Sequence, residues 1–391
     1  MKTFVTFLGR GRENKTTGYQ ETTYEFPDKS TKTTAFFGLA LAEYINPDRI
    51  VILGTDSSQW GVLVENLAAE GDEEEERLKL IDVEIESKIE QEHLDYVTGL
   101  MCRAVGCEVV PRLIPFGENE SEQYKILDVI ANYVPEGIIN FDLTHGFRHF
   151  GMIGFLSAFM LSRVRGLEVK NLWYGALDMT KEGVTPVLKL DGLDRVRRWL
   201  NALNRFDATG DYGVFASLLT EDGVEEAAAG CLRKAAFYER TLNLSAAVDE
   251  IRKFIPILEC NLTGASGLFQ QRLTERLTWT DLNTYSKQQA ELARLCLRRR
   301  DYIRAAVFGW ESLVSEMSEK KGLDPKNREH RADQNVLGPG ALHKRTVCEN
   351  LNRIRNALAH SNPHNSEMIR DEQKLRETLQ NAFDCLLPSQ D

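Results

Sequence analysis

Up to about residue 190 the chain alternates short continuous apolar runs with stretches of helical periodicity, and beyond about residue 192 only the helical period remains. That change of pattern limits the fold more than any other feature. The runs predict strands near 2–8, 49–54, 107–114, 137–143 and 168–175, with a last hairpin strand at 184–190 and a helix near 32–45. Apolar strands separated by helices are covered on both faces, so residues 1–191 read as a Rossmann-like α/β domain with a mostly parallel sheet. Residues 71–106, opened by Asp72-Glu73-Glu74-Glu75-Glu76, read as an inserted helical hairpin whose acidic start is solvated. Residues 192–391 read as all-α. Helices are predicted near 192–206, 223–242, 244–256, 284–298, 301–319, 341–361 and 366–386, with breaks at Gly210, Pro256, Gly322 to Pro325, Gly338 to Gly340 and Pro363.

Charge and cysteine usage exclude several functions. A net charge of −11 over 391 residues argues against coating duplex nucleic acid, which needs many Lys and Arg contacts to phosphate. The seven cysteines are scattered and odd in number, which predicts reduced thiols, and without Cys-x-x-Cys spacing no metal site is expected. No apolar run reaches 18 residues and the N-terminal segment lacks a cleavage site, so the expectation is a cytoplasmic protein with no membrane span.

Two constellations carry chemistry. The first is Arg355-Asn356-Ala357-Leu358-Ala359-His360, at the C-terminal end of a predicted helix. Metal-free RNA cleavage needs a proton acceptor for the 2′-hydroxyl or a donor for the leaving oxygen, and positive charge on the transition state; His and Arg supply these. The spacing also fits a surface arginine and a helix-capping histidine. Around it, Lys344, Arg345, Arg353, Arg355 and Arg370 face only Glu349 and Glu367, and Arg294, Arg298, Arg299, Arg300 and Arg304 lie near Asp301. A groove for single-stranded RNA and simple pairing with neighbouring acids both account for these arginines.

The second is Asp142-Leu143-Thr144-His145-Gly146-Phe147-Arg148, where an apolar strand opens into a helix. A strand end facing a helix N-terminus presents free N–H groups to an anion, although His145 also suits a buried residue capping the turn. Gly9-Arg10-Gly11-Arg12 and Gly54-Thr55-Asp56-Ser57-Ser58 follow two other strands and would lie along the same sheet edge. Neither a dinucleotide fingerprint nor a phosphate-loop lysine is present, and three polar, glycine-bearing strand ends suit instead a diffuse polyanionic ligand with ribose and adenine edges.

Asp142-Leu143-Thr144-His145-Gly146 resembles the Asp-x-Thr-His-Gly motif of CRISPR-associated proteins of type III systems, and Arg355-Asn356-x-x-x-His360 resembles the active motif of HEPN ribonucleases. Their order is that of the CARF-HEPN effectors. The resemblance implies a CARF sensor over 1–191, a helical linker and HEPN-type helical domain over 192–391, and a homodimer or higher homo-oligomer with a symmetric ligand on the two-fold axis. It implies that cyclic oligoadenylate, tetra-adenylate in preference to hexa-adenylate, activates endonucleolytic cutting of single-stranded RNA in antiviral defence, with no cofactor or metal and with 2′,3′-cyclic phosphate products. His360 would be the acid or base, Arg355 would hold the phosphate and Asn356 would orient either group. Gly9, Arg10, Thr55, Ser57, Ser58, Thr144, His145, Gly146 and Arg148 would contact the ligand. Slow cleavage of the activator by the sensor is an added reading, and the alternative is a non-catalytic regulator whose helical half binds a partner.

Overall fold

The computed structural model describes residues 1–9, 21–68, 71, 74–86, 89–332, 342–360 and 369–388. These form two compact units, Met1–Leu193 and Asp194–Asp391.

In the first unit, β1 (Lys2–Leu8), β4 (Arg49–Gly54), β5 (Glu108–Leu113), β6 (Ile138–Asp142) and β7 (Glu168–Gly175) are mutually parallel. They sit in the order β7-β6-β1-β4-β5. Chain order therefore reverses between β1 and β6, which makes a topological switch point at their carboxyl ends. Helices α1 (Phe37–Ile45), α2 (Trp60–Leu67), α3 (Glu74–Ile85) and α4 (Gln91–Val105) cover one face of the sheet, and α5 (Glu120–Tyr133) and α6 (Arg148–Val164) the other. The strands serve both layers by alternation. Phe4, Ile50 and Ile52 face α1 to α4, whereas Val5, Phe7, Val51 and Leu53 face α5 and α6.

Three features differ from the sequence reading. Residues 31–34 are not the start of a helix but β3 (Thr31–Thr34), paired antiparallel with β2 (Thr22–Glu25). The hairpin extends the sheet by laying β2 parallel to β8 (Val184–Lys189), which is itself antiparallel to β7. Residues 71–106 hold the two helices of the expected hairpin, α3 and α4, but α4 also buries Leu94, Val97, Leu100 and Met101 against the sheet and leads into β5. Pro256 does not end its helix.

The second unit is helical. It comprises α7 (Asp191–Thr209), α8 (Ala216–Glu221), α9 (Glu226–Arg240), α10 (Leu244–Glu259), α11 (Gly264–Leu277), α12 (Tyr285–Arg298), α13 (Tyr302–Lys320), α14 (Arg328–Ala332), α15 (Leu342–His360) and α16 (Glu372–Leu386), with α7 beginning at the end of the first unit. In α10 the proline lies on the exposed side while Val248, Ile251, Phe254 and Leu258 face the core. The carbonyl that loses its N–H partner therefore faces water, and burial of the opposite stripe holds the helix through the gap. The predicted breaks at 338–340 and 363 and the helix start at 366 lie outside the described residues. No described helix is long and apolar enough to cross a membrane.

The core of this unit contains an ion pair. Arg276 of α11 and Glu239 of α9 are 5% and 4% exposed, and Arg276 donates to the Glu239 carboxylate while its guanidinium lies 5.1 Å from the Tyr212 ring. Removing one partner strands the other charge in an apolar interior. Glu239→Ala should therefore lower the unfolding free energy by about 3–5 kcal/mol. Urea denaturation checks this, and a loss below about 1 kcal/mol would mean that Arg276 reaches water in the folded protein.

Candidate functional site

The ends of β1, β4, β5 and β6 surround a cavity of about 570 Å³ at the switch point. Its lining includes Leu8 and Gly9 after β1, Thr55, Asp56, Ser57 and Ser58 after β4, Phe116 after β5, and Gly146, Phe147 and Phe150 after β6. Two glycines make it possible. A Cβ on Gly9 would stand 2.8 Å from the Gly146 backbone nitrogen, and Gly146 has φ +86° with the Phe150 ring 3.0 Å from where its own Cβ would be. Gly9 brings main chain against main chain, and Gly146 combines a left-handed backbone with close contact to the Phe150 ring, so a side chain is excluded at the first and strained at the second.

The loop after β4 is held from within. Ser58 Oγ donates to the Leu8 carbonyl at 2.7 Å and accepts from the Thr55 N–H at 2.9 Å, and the Trp60 indole N–H donates to the Thr55 carbonyl at 2.9 Å. Thr55 and Ser58 are thus buried posts tying β4 to β1. Phe116, Phe147 and Phe150 supply an aromatic wall, with centroids of Phe147 at 5.9 Å from Phe116 and 5.4 Å from Phe150. Among the described lining residues Asp56 is the charged one.

Asp142 is fully buried at the end of β6, four residues before Gly146 of the lining. Thr6 Oγ1 donates to Oδ2 at 2.7 Å and the Thr144 N–H to Oδ1 at 2.9 Å. Burial pushes the Asp142 carboxyl pKa up, against the opposing pull of His145 and of these hydrogen bonds. Burial also depresses the His145 pKa, opposed by Asp142, and the His145 Nε2 is sealed from solvent with no hydrogen-bond partner among the described residues.

The predicted ligand residues therefore divide. Gly9, Thr55, Ser57, Ser58 and Gly146 come together around the cavity, whereas Thr144 and His145 are not among its lining. Thr144 Oγ1 accepts from the Gly175 N–H at 2.7 Å, and His145 turns towards Phe37, 6.5 Å away between ring centroids. Arg148 is exposed at the first residue of α6, and Arg10 lies outside the described residues. Phe116 and Phe150 escaped the sequence reading of the site, while Asp56 and Phe147 lay within its quoted segments without being assigned a contact.

In the second unit Arg355 and His360 are on α15. The Arg355 guanidinium lies 5.3 Å from the Trp310 ring centroid of α13, with Nε buried and unpartnered among the described residues, while His360 is exposed at the helix end. At about 100° per residue the two side chains leave the helix about 140° apart. Asn356 Nδ2 donates weakly to Asn352 Oδ1 at 3.5 Å. The arginines of 293–304 are engaged: Arg298 with Glu291, Arg300 with Glu372, Arg304 with Asp301, Arg294 with the Pro388 carbonyl, and Arg299 over the Phe206 ring. That segment is thus not the free basic stripe of an RNA groove. Among the described residues Lys344, Arg353 and Arg370 form no ion pair, while Arg345 pairs with Glu349 at 3.3 Å.

Open doubly wound sheets take their ligands at the switch point, and residues 3–176 match the family model described as CRISPR system endoribonuclease Csx1, CARF domain. The match runs along the first unit and is similarity to a CARF domain. Over 409 aligned positions the chain is 22% identical to the CRISPR-associated protein MJ1674 of Methanocaldococcus jannaschii, covering 92% of this chain and 62% of that relative. The chain thus spans less than two thirds of the length of the relative.

The sealed histidine has a measurable consequence. His145 is held neutral by burial and takes up a proton on unfolding in acid. Its share of stability is present above the ordinary histidine pKa and is lost as pH falls through that value towards the depressed one. Asp142, with its raised pKa, works in the opposite sense. Unfolding free energies of wild type and His145→Gln between pH 7 and 5 should differ in slope by up to about 1.4 kcal/mol per pH unit, and equal slopes would place the imidazole in water.

Proposed function

We propose that this chain is an endoribonuclease of type III CRISPR defence, switched on by a cyclic oligoadenylate. The observation that carries the reading is the glycine-floored cavity at the switch point of a unit that matches a CARF domain. Its aromatic wall suits adenine stacking, and the N–H groups of the surrounding strand-to-helix loops suit phosphate. Cyclic tetra-adenylate is proposed as activator ahead of hexa-adenylate, and the sensor fold is proposed to end near residue 191.

Cleavage is assigned to Arg355, Asn356 and His360. A base takes the 2′-hydroxyl proton, the 2′-oxygen attacks the phosphorus, and the 5′-oxygen leaves with a proton from an acid, giving a 2′,3′-cyclic phosphate and a 5′-hydroxyl. The arginine stacked on Trp310 is presented rigidly to the phosphate charge. One motif supplies one histidine, whereas the reaction has two proton transfers. A composite site with two copies of the motif, in a homodimer, supplies both.

Helix α6 supports pairing of two copies. Met152, Leu156, Met160 and Val164 recur every four residues along it and are 68%, 63%, 38% and 72% exposed, an apolar stripe that starts beside the cavity at Phe147. Two-fold packing along this stripe sets the two cavities near one axis, where a ring with equivalent halves can bridge them.

Two measurements test this. Fluorescent single-stranded RNA should be cut in EDTA when cyclic tetra-adenylate is added. His360→Ala should lose at least about a hundredfold in rate while binding the activator unchanged. Full activity in that variant, or ligand binding with no cleavage by wild type, would favour a regulator that acts through a partner. Leu156→Glu should shift the sedimenting species towards monomer, and an unaltered dimer would remove α6 from the interface.

A further inference from the structure

The aromatic wall of the switch-point cavity is tied together by a residue that does not line it. His149, the second residue of α6, places Nε2 2.8 Å from the Phe116 carbonyl oxygen, in the loop between β5 and α5. A carbonyl only accepts, so Nε2 carries the proton and donates. The same imidazole stacks on Phe147, with centroids 5.7 Å apart and planes inclined by 17°, and meets Phe150 edge-on at 4.7 Å. All three wall residues therefore converge on one side chain. The loop is shaped to receive it: Gly117 has φ +74°, and a Cβ there would stand 3.0 Å from His149 Nε2. On its other side the loop is held to α5. Glu122 accepts from the Gly117 and Glu118 N–H groups at 3.0 and 3.1 Å, and Gln123 donates to the Gly117 carbonyl at 3.1 Å.

We propose that His149 is a positioning residue for the ligand of this cavity: it holds Phe116 against Phe147, so that an aromatic face stands ready before a base arrives. The assignment rests on the reading of this cavity as the cyclic oligoadenylate site. Phe116 is half-buried and Phe147 is 48% exposed, so both rings offer surface to a ligand, and their centroids lie 5.9 Å apart. His149 is not among the lining residues, so it acts through the wall rather than on the ligand. Without its hydrogen bond the Phe116 loop would keep its ties to α5 and lose this one to α6, and each binding event would have to order the wall again. A base gains most from stacking when the rings that receive it are already fixed.

Calorimetric titration of the full chain with cyclic tetra-adenylate, and in parallel with hexa-adenylate, tests it through two replacements of similar size. For the ring that wild type binds, His149→Leu removes the donor and should weaken binding about tenfold, whereas His149→Gln keeps an N–H at nearly the same reach and should recover most of that loss. Without ligand, hydrogen exchange in a peptide spanning 114–119 should be faster in His149→Leu and close to wild type in His149→Gln. A residue that served only to stabilise the fold would shift the melting temperature and leave the affinity of the folded protein unchanged. Equal affinity in wild type and His149→Leu, or a loss that His149→Gln does not recover, would overturn the assignment of His149 alone. A wild type that binds neither ring would overturn the ligand reading, and this assignment with it.

Discussion

The carboxylate of Asp142 is the fixed point of the α/β unit. It joins β1 to β6 through Thr6 across the line where the chain reverses its order, and it fixes the first turn after β6 through the Thr144 N–H. Every other feature of the cavity follows from that geometry. With the two strand ends held side by side, Gly9 and Gly146 meet main chain to main chain, and the segments after β4 and β6 line the opening beside them. The buried acid and the neutral histidine beside it are the cost of holding this junction in an apolar interior.

The parallel sheet was legible because a strand buried on both faces must be apolar throughout, and Lys2–Leu8, Arg49–Gly54 and Ile138–Asp142 are nearly so. The β2–β3 hairpin was not. Thr31–Thr34 is exposed along most of its length, and β2 is fixed by β8, some 160 residues away, so local pattern carries little of its signal. Pro256 misled for a related reason, since propensity marks a helix end while burial on the opposite side of the helix decides otherwise. Helix α11 went unseen because it opens on Gly264 and Gly267 and continues with glutamines and arginines.

The candidate sites divide along the same line. Gly9, Thr55 and Gly146 follow apolar strands closely, so their convergence could be read from topology alone. Phe116, Phe147 and Phe150 come from two separate segments, and nothing local tells that they share a wall. Thr144 and His145 show the opposite error. They sit within the most recognisable motif, yet one holds β7 and the other is turned inward, so the motif records the construction of the junction as much as contact with a ligand. Arg355 likewise depends on Trp310, 45 positions earlier, which sequence spacing cannot connect to it.

The glycine floor also limits how this cavity can change. Where Gly9 and Gly146 meet, the surface offered to a ligand is peptide backbone, and no substitution there can add a new functional group without parting the strands. Change in what the cavity accepts is then confined to the rim, through residues such as Asp56 and the aromatic wall, while the floor presents peptide groups alone. A cavity built this way would vary its preference among ligands of one chemical kind far more readily than acquire a different kind.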